Sequence, residues 1–320
     1  MSRTCATPKR NVRAAGGAIH YAFGMTKHLV IGAGPTGSAT ALLLAEAGDA
    51  VTLVSRGGGG PTHPRIARRT ADASDADSVT RLADGAATIF NCAMPRYDRW
   101  AELFPPINAA AIRAAVASGA GLLTVGNVYA YGAASPFTAA SPVAPISEKG
   151  RVRAAMWEAA LASGARVAEV RGSDYLGRGA ASLYTLMLLP QLRAGVPAAI
   201  PADLDAAHSW TFTRDVARTL VAAAGNPTAW GRAWHVPSHT ASIRAVSERL
   251  AVLGGLPAPQ VSRMSRAVLD ELAAGDSIMH AVIEMLYLLD APCVLDASAT
   301  ERALGVTATP FDEVLRDTLG

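Results

Sequence analysis

Along this chain, apolar residues fall alternately into short continuous runs and into helical periods. His28–Gly32 is an apolar run closed by glycine, Ser38–Gly48 carries Ala and Leu at helical spacing, and Ala50–Ser55 is again a run, partly β-branched. Strand, glycine turn, helix and strand within about 30 residues is the size of a βαβ unit. The rhythm then continues. Arg65–Thr70 reads as a short strand, Ser74–Ala83 as a helix, Ala87–Cys92 as a strand and Asn108–Ser118 as a helix ending at Gly119. Gly121–Val125 is a strand, Glu148–Ser163 a helix and Arg166–Arg171 a strand. Such alternation predicts an α/β fold with a doubly wound parallel sheet.

Past Gly179 the pattern loosens. Ser182–Ala194, Asp215–Ala224 and Ser242–Leu253 have helical periods; Pro197–Ile200, Ala233–Pro237 and Pro257–Ser262 are short and extended; the tail is mostly helical. We therefore expect residues 25–179 to form the nucleotide-binding domain, with some later segments returning to it. Residues 180–320 are expected to form a smaller mixed domain over the carboxyl edge of the sheet. Residues 1–24 carry Arg3, Lys9, Arg10 and Arg13 without a periodic apolar face or a continuous apolar middle. They read as a disordered extension rather than a secretory signal.

The bulk numbers narrow the function classes. The chain has 320 residues, half of them apolar, and a formal net charge of +3. That charge is small and dispersed, which argues against nucleic acid. No apolar run reaches the roughly 18 residues of a membrane span. Cys5, Cys92 and Cys293 are odd in number and far apart. They suggest a reducing, cytoplasmic setting, and no metal-ligand spacing is present.

The glycine turn carries the most specific chemistry. Gly32-Ala33-Gly34-Pro35-Thr36-Gly37 follows a strand and opens a helix, the context that makes GxGxxG a dinucleotide loop. Gly32 permits the tight turn, Gly34 lets a pyrophosphate approach, and Gly37 lets helix and strand pack closely. Ser55-Arg56 stands at the end of the second strand, where an acidic residue would grip the ribose of NAD. Arg56 suits a 2′-phosphate, so NADP is expected over NAD; the alternative is a solvated loop charge.

With these motifs the chain resembles the extended short-chain dehydrogenase/reductase family, the NAD-dependent epimerases and dehydratases, from about Met25 to the C-terminus. The resemblance implies a Rossmann-type fold and a role for several segments. Asp72-Ala73 would meet the adenine, Asn91-Cys92-Ala93 would run along the cofactor, and Val128–Gly132 would follow the fifth strand. Arg171–Gly177, with Tyr175, would lie near the nicotinamide, and His208–Ala217, with Trp210, would approach the substrate. The family's catalytic set is a Ser/Thr with a Tyr four residues before a Lys, and no Tyr-x-x-x-Lys occurs here. Aligning the helix places Lys149 at the tyrosine position, Arg153 at the lysine position and Asn127 at the serine position.

The replacements suggest a non-standard set. Lys149 can serve as an acid or base, Arg153 can hold the ribose, Asn127 can donate to an oxyanion, and Tyr129 or Tyr131 can donate a proton. The bland readings are an exposed Lys149 in a first helical turn, an Asn127 that only turns the chain, and one tyrosine in the core. Tyr97 and Trp100, after the fourth strand, read as substrate-pocket residues or as an ordinary loop; His208 with Trp210 reads as a pocket wall. His235 reads as a hydrogen-bonded core histidine. The expectation is an NAD(P)-dependent oxidoreductase or epimerase acting on a small organic molecule of sugar-nucleotide or secondary-metabolite type, with helices 108–118 and 148–163 as a possible homodimer face. The alternatives are a non-redox cyclase, isomerase or lyase, and an inactive nucleotide-binding regulator.

Overall fold

The computed structural model describes residues 25–133 and 135–320; the expectations for residues 1–24 lie outside the described residues. The strands are β1 Lys27–Ile31, β2 Ala50–Ser55, β3 Ile66–Thr70, β4 Thr88–Asn91, β5 Gly121–Asn127, β6 Val167–Gly172, β7 Asp174–Leu176, β8 Ala198–Ile200, β9 His208–Phe212, β10 Ala233–His235, β11 His239–Ala241 and β12 Val261–Arg263. The helices are α1 Pro35–Glu46, α2 Ala76–Leu82, α3 Trp100–Ser118, α4 Glu148–Ala162, α5 Leu189–Ala194, α6 Thr213–Gly225, α7 Ile243–Gly254, α8 Arg266–Gly275, α9 Ser277–Ile283, α10 Leu286–Leu289, α11 Ser298–Leu304 and α12 Phe311–Leu319.

Seven strands form a parallel sheet in the order β10-β6-β5-β4-β1-β2-β3. Strands such as Leu29-Val30-Ile31 are apolar throughout because both faces are covered. One core packs Val30, Leu53, Phe90 and Val170 against Leu44 of α1 and Leu220 of α6. The other packs Leu29, Ile89 and Leu122 against Val79 of α2 and the alanines of α3. The chain winds outward in both directions from β1, which lies between β2 and β4. Ligands of doubly wound sheets bind at such a switch point, beyond the carboxyl ends of the strands.

After residue 180 the chain serves two structures. β10 joins the edge of the large sheet beside β6, and α6 covers one of its faces. A smaller three-stranded sheet, β11-β9-β7, which recruits β7 from before residue 180, and a strand pair, β12-β8, build the second unit. Its core is Leu188, Trp210, Phe212, Leu250 and Leu315.

Two elements depart from the expected pattern. The helix expected from Asn108 begins at Trp100 and runs through Pro105 and Pro106. Those prolines forgo their helical hydrogen bonds, and the buried rings of Trp100 and Phe104 hold the early turns in place. Val128–Tyr131, whose two alternating tyrosines would suit a strand, is a 3₁₀ turn. Asn127 starts it by accepting the Tyr129 N–H on its side-chain oxygen at 3.1 Å.

Candidate active site

The glycine loop leaves β1 with Gly32 at φ +100°, a left-handed conformation that favours glycine. A Cβ on Gly32 would lie 2.7 Å from the Cys92 carbonyl oxygen, and one on Gly37 would lie 1.9 Å from that of Gly32. Both positions are closed by the protein's own backbone. Gly34 differs: a Cβ there would meet nothing within 4 Å. Gly34 caps α1, Pro35 stands in its first turn, and no acidic residue shares that turn. Free N–H groups and the partial positive charge of a helix end therefore face an open approach, a cradle that fits a pyrophosphate.

The loop's surroundings are fixed by short hydrogen bonds. Thr40 donates to the Thr36 carbonyl at 2.8 Å, and the Ser55 hydroxyl donates to the Gly59 carbonyl at 3.3 Å. Asn91 accepts the Ala93 N–H at 3.3 Å. Burial pushes the Cys92 thiol up to about 12, so it is a protonated wall of the loop rather than a nucleophile. Ala73 packs partly buried on the α2 side. Asp72 accepts from the Ser74 N–H and hydroxyl; those bonds, aided by the charge of Arg56, hold its carboxyl below the usual range. Arg56 is exposed beside that carboxylate, and Arg68 donates to the Gly60 carbonyl.

Further along the carboxyl edge, the sequence candidates divide. Tyr97 and Tyr129 meet, with hydroxyls 3.4 Å apart. Lys149 lies 4.5 Å above the Tyr97 ring and is 5% exposed. Its ammonium is held by Glu284 at 2.5 Å. The same Glu284 carboxylate accepts the Glu148 and Lys149 N–H groups, so it also caps α4 as an anion at a helix start. Arg153 is stacked 4.9 Å from the Trp100 ring and 4.1 Å from that of Phe104. It donates to the Val125 carbonyl at 3.2 Å, while its Nε is buried with no partner. No carboxylate pairs with Arg153 among the described residues. Tyr175 donates to the Gly126 carbonyl at 3.1 Å, and Trp100 stacks on Tyr129.

The other candidates point elsewhere. The Tyr131 hydroxyl lies 2.6 Å from His235 Nε2, away from Tyr129. Trp210 donates to the Ala241 carbonyl at 2.9 Å and packs edge-on against Tyr184, inside the smaller core. His208 holds Asp174 at 2.8 Å through Nδ1, and its Nε2 is buried without a partner.

Burial raises both Tyr97 and Tyr129 well above the ordinary tyrosine value, so both hydroxyls stay protonated at neutral pH. His208 is pulled down by burial but carried above its ordinary value by Asp174. Glu284 and Asp174 were not singled out by sequence reasoning. Glu284 reaches Lys149 from 135 residues away, and no local pattern announces such a pair. Among the described residues, no group of His, Cys, Asp or Glu is arranged to hold a metal ion. No helix there is long and apolar enough to cross a membrane.

Comparison with known proteins gives the same frame. The profile of the NAD dependent epimerase/dehydratase family matches residues 28–236. No curated protein matches the chain in sequence. Among solved structures, WbmH of Bordetella bronchiseptica in complex with NAD+ is similar at TM-score 0.73 and 20% identity, covering 92% of this chain and 97% of that one. The UDP-glucose 4-epimerase of Thermotoga maritima with UDP-glucose has TM-score 0.74 at 15% identity, over 92% and 97% of the two chains. The UDP-glucuronic acid 4-epimerase of Bacillus cereus with NAD has TM-score 0.74 at 15% identity, over 92% and 96%.

Proposed function

The chain belongs to the NAD-dependent epimerase/dehydratase family, and we propose from that membership that it is an epimerase-type enzyme acting on a small organic substrate of the sugar-nucleotide class. The observation that carries this reading is the glycine cradle, closed at Gly32 and Gly37 and open at Gly34. The cofactor is a nicotinamide dinucleotide. NAD is favoured over the NADP expected from Arg56, because WbmH and the Bacillus cereus epimerase are both complexes with NAD.

When bound, the nicotinamide supplies a reversible hydride acceptor. The chain's own residues do the rest. The first turn of α1 binds the pyrophosphate through its N–H groups. Arg153, with its unpartnered buried Nε, binds a ribose hydroxyl where the family uses lysine. Tyr97 and Tyr129 hold protons at their hydroxyl oxygens and donate them to a substrate oxygen. Lys149, neutralised by Glu284, fixes the Tyr97 ring. Asp174, a partly exposed carboxylate held by His208, accepts a proton.

A second reading rests on the same tyrosines. Because neither is an anion at neutral pH, the set also suits a non-redox isomerisation or elimination. One experiment separates the two. The full chain is incubated with NAD and with UDP-glucose or UDP-glucuronic acid, sugars are followed by NMR, and cofactor absorbance is followed at the same time. Epimer formation with a transient reduced cofactor supports the first reading, and Tyr97→Phe should slow it by about 10²-fold. Turnover with no reduced cofactor at any stage supports the second. No conversion of either sugar contradicts the substrate class.

For assembly, we propose a homodimer through α3 and α4. Ile112, Val152, Ala155 and Ala159 line an open, largely apolar groove of about 700 Å³ between these helices.

A further inference from the structure

We propose that residues 265–288 form a strap that closes over Tyr97 and Tyr129, with Glu284 as the latch that engages Lys149. The role of the strap rests on the reading of those tyrosines as the groups that meet substrate. The segment leaves the smaller unit and returns to it. Just before it, the Met264 N–H donates to the Ile200 carbonyl at 2.8 Å, and just after it the Leu289 carbonyl accepts the Asp203 N–H at 2.9 Å. Arg263 donates to Asp290 at 2.7 Å and ties the two feet together.

Between the feet, α8 and α9 carry the chain across to the nucleotide-binding unit. The Ser277 hydroxyl, at the start of α9, donates to Asp98 at 2.7 Å, next to Tyr97. The Tyr287 hydroxyl lies 3.4 Å from that of Ser147, the residue that caps α4. Tyr97 and Tyr129 pack against the apolar cluster to which the strap contributes Met285 and Leu288. The closed strap thus takes part in burying the two hydroxyls that a substrate has to reach.

The latch is polar and sits at the first turn of α4. Glu284 accepts the Glu148 N–H at 2.7 Å, the Lys149 N–H at 3.3 Å and the Lys149 ammonium at 2.5 Å. Lys149 also donates to the Ala281 carbonyl, near the end of α9, at 3.5 Å. Both acceptors of this buried ammonium therefore belong to the strap. When the strap lifts, water hydrates both charges, so the pair can part and re-form. The rest of the strap is lightly packed. In α8 and α9 only Leu269, Ala273 and Val282 are buried, while Val268, Leu272 and Ile278 are exposed. By contrast, all four residues of β4 and all but Val125 of β5 are buried. Segments with few buried apolar contacts open at lower free energy than the sheet they cover.

Amide hydrogen exchange on the full, ligand-free chain tests this, with Glu284→Gln beside the natural protein. In the natural protein the α9 amides should exchange at least about 10²-fold faster than those of β4 and β5. Glu284→Gln should speed α9 by about a further tenfold and leave β4 and β5 unchanged. Nitration by tetranitromethane, mapped by peptide mass spectrometry, reads access to the site. Tyr129 should react at least about fivefold faster in the variant, while Tyr184, buried in the smaller core, should react at an unchanged rate. If circular dichroism shows Glu284→Gln unfolded, Ser277→Ala decides, with α9 exchange about threefold faster at unchanged β4 and β5. Exchange of α9 at the rate of β5, an acceleration shared by β4 and β5, or unchanged Tyr129 nitration would each overturn the strap. Neither readout needs cofactor or turnover, so a failure to convert either sugar would count against the proposed reaction alone.

Discussion

His208 and Asp174 show how one contact sets a residue's charge. Burial alone lowers a histidine, yet His208 lies above 6.5 because Asp174 accepts from it at 2.8 Å. A raised folded pKa means that His208 adds stability fully below about 6.5 and loses it as pH rises through the folded value. Asp174→Asn leaves the burial and removes the charge. The His208 pKa should then fall below 6.5, and its contribution should instead be lost as pH falls below 6.5. Histidine NMR titration of the two proteins reads this; an unchanged pKa would contradict the pairing. Arg56 permits a second residue-scale prediction. Arg56 is exposed just after β2, and an NAD ribose offers it no phosphate, so Arg56→Ala should change NADH affinity less than about twofold and NADPH affinity by more, in parallel fluorescence titrations. A large loss for NADH alone would refute this placement.

At the scale of elements, the β1–α1–β2 unit was legible because its apolar runs, glycine turn and helical period agree with one another. Gly37→Ala should be costly even without ligand, since its Cβ would sit 1.9 Å from a backbone oxygen. We expect a loss of at least about 2 kcal/mol, read as a drop of several degrees in Tm. An unchanged Tm would show that the loop can open at no cost. What the sequence hid has physical causes. The expected helix began at Asn108, whereas buried Trp100 and Phe104 carry α3 back across Pro105-Pro106 to Trp100. The tyrosine spacing in Val128–Tyr131 suits a strand, yet Asn127 turns the chain and sends the two hydroxyls to different neighbours. Glu284 and Lys149 meet only in three dimensions. Their pairing also makes the exposed reading of Lys149 a poor description, because the side chain is buried against Ala281 of α9 and Glu284.

For the whole molecule, the groove along α3 and α4 predicts self-association. A pair of copies should bury roughly 1,200 Å² or more to be stable. Ala155 is exposed in the groove, so Ala155→Arg should convert a dimer to monomer in sedimentation while leaving the fold intact. A wild-type monomer at tens of micromolar would rule the interface out. The parallel sheet brings the start of α1 to an opening at Gly34, and we propose that the nicotinamide dinucleotide binds there. The most direct test is a fluorescence titration of the full chain with NADH beside Gly34→Ala, a variant whose new methyl group touches no protein atom. The account predicts saturable binding by the natural chain, and at least about tenfold weaker binding by the variant at unchanged Tm. Absence of binding by the natural chain, or equal binding by both, would contradict it.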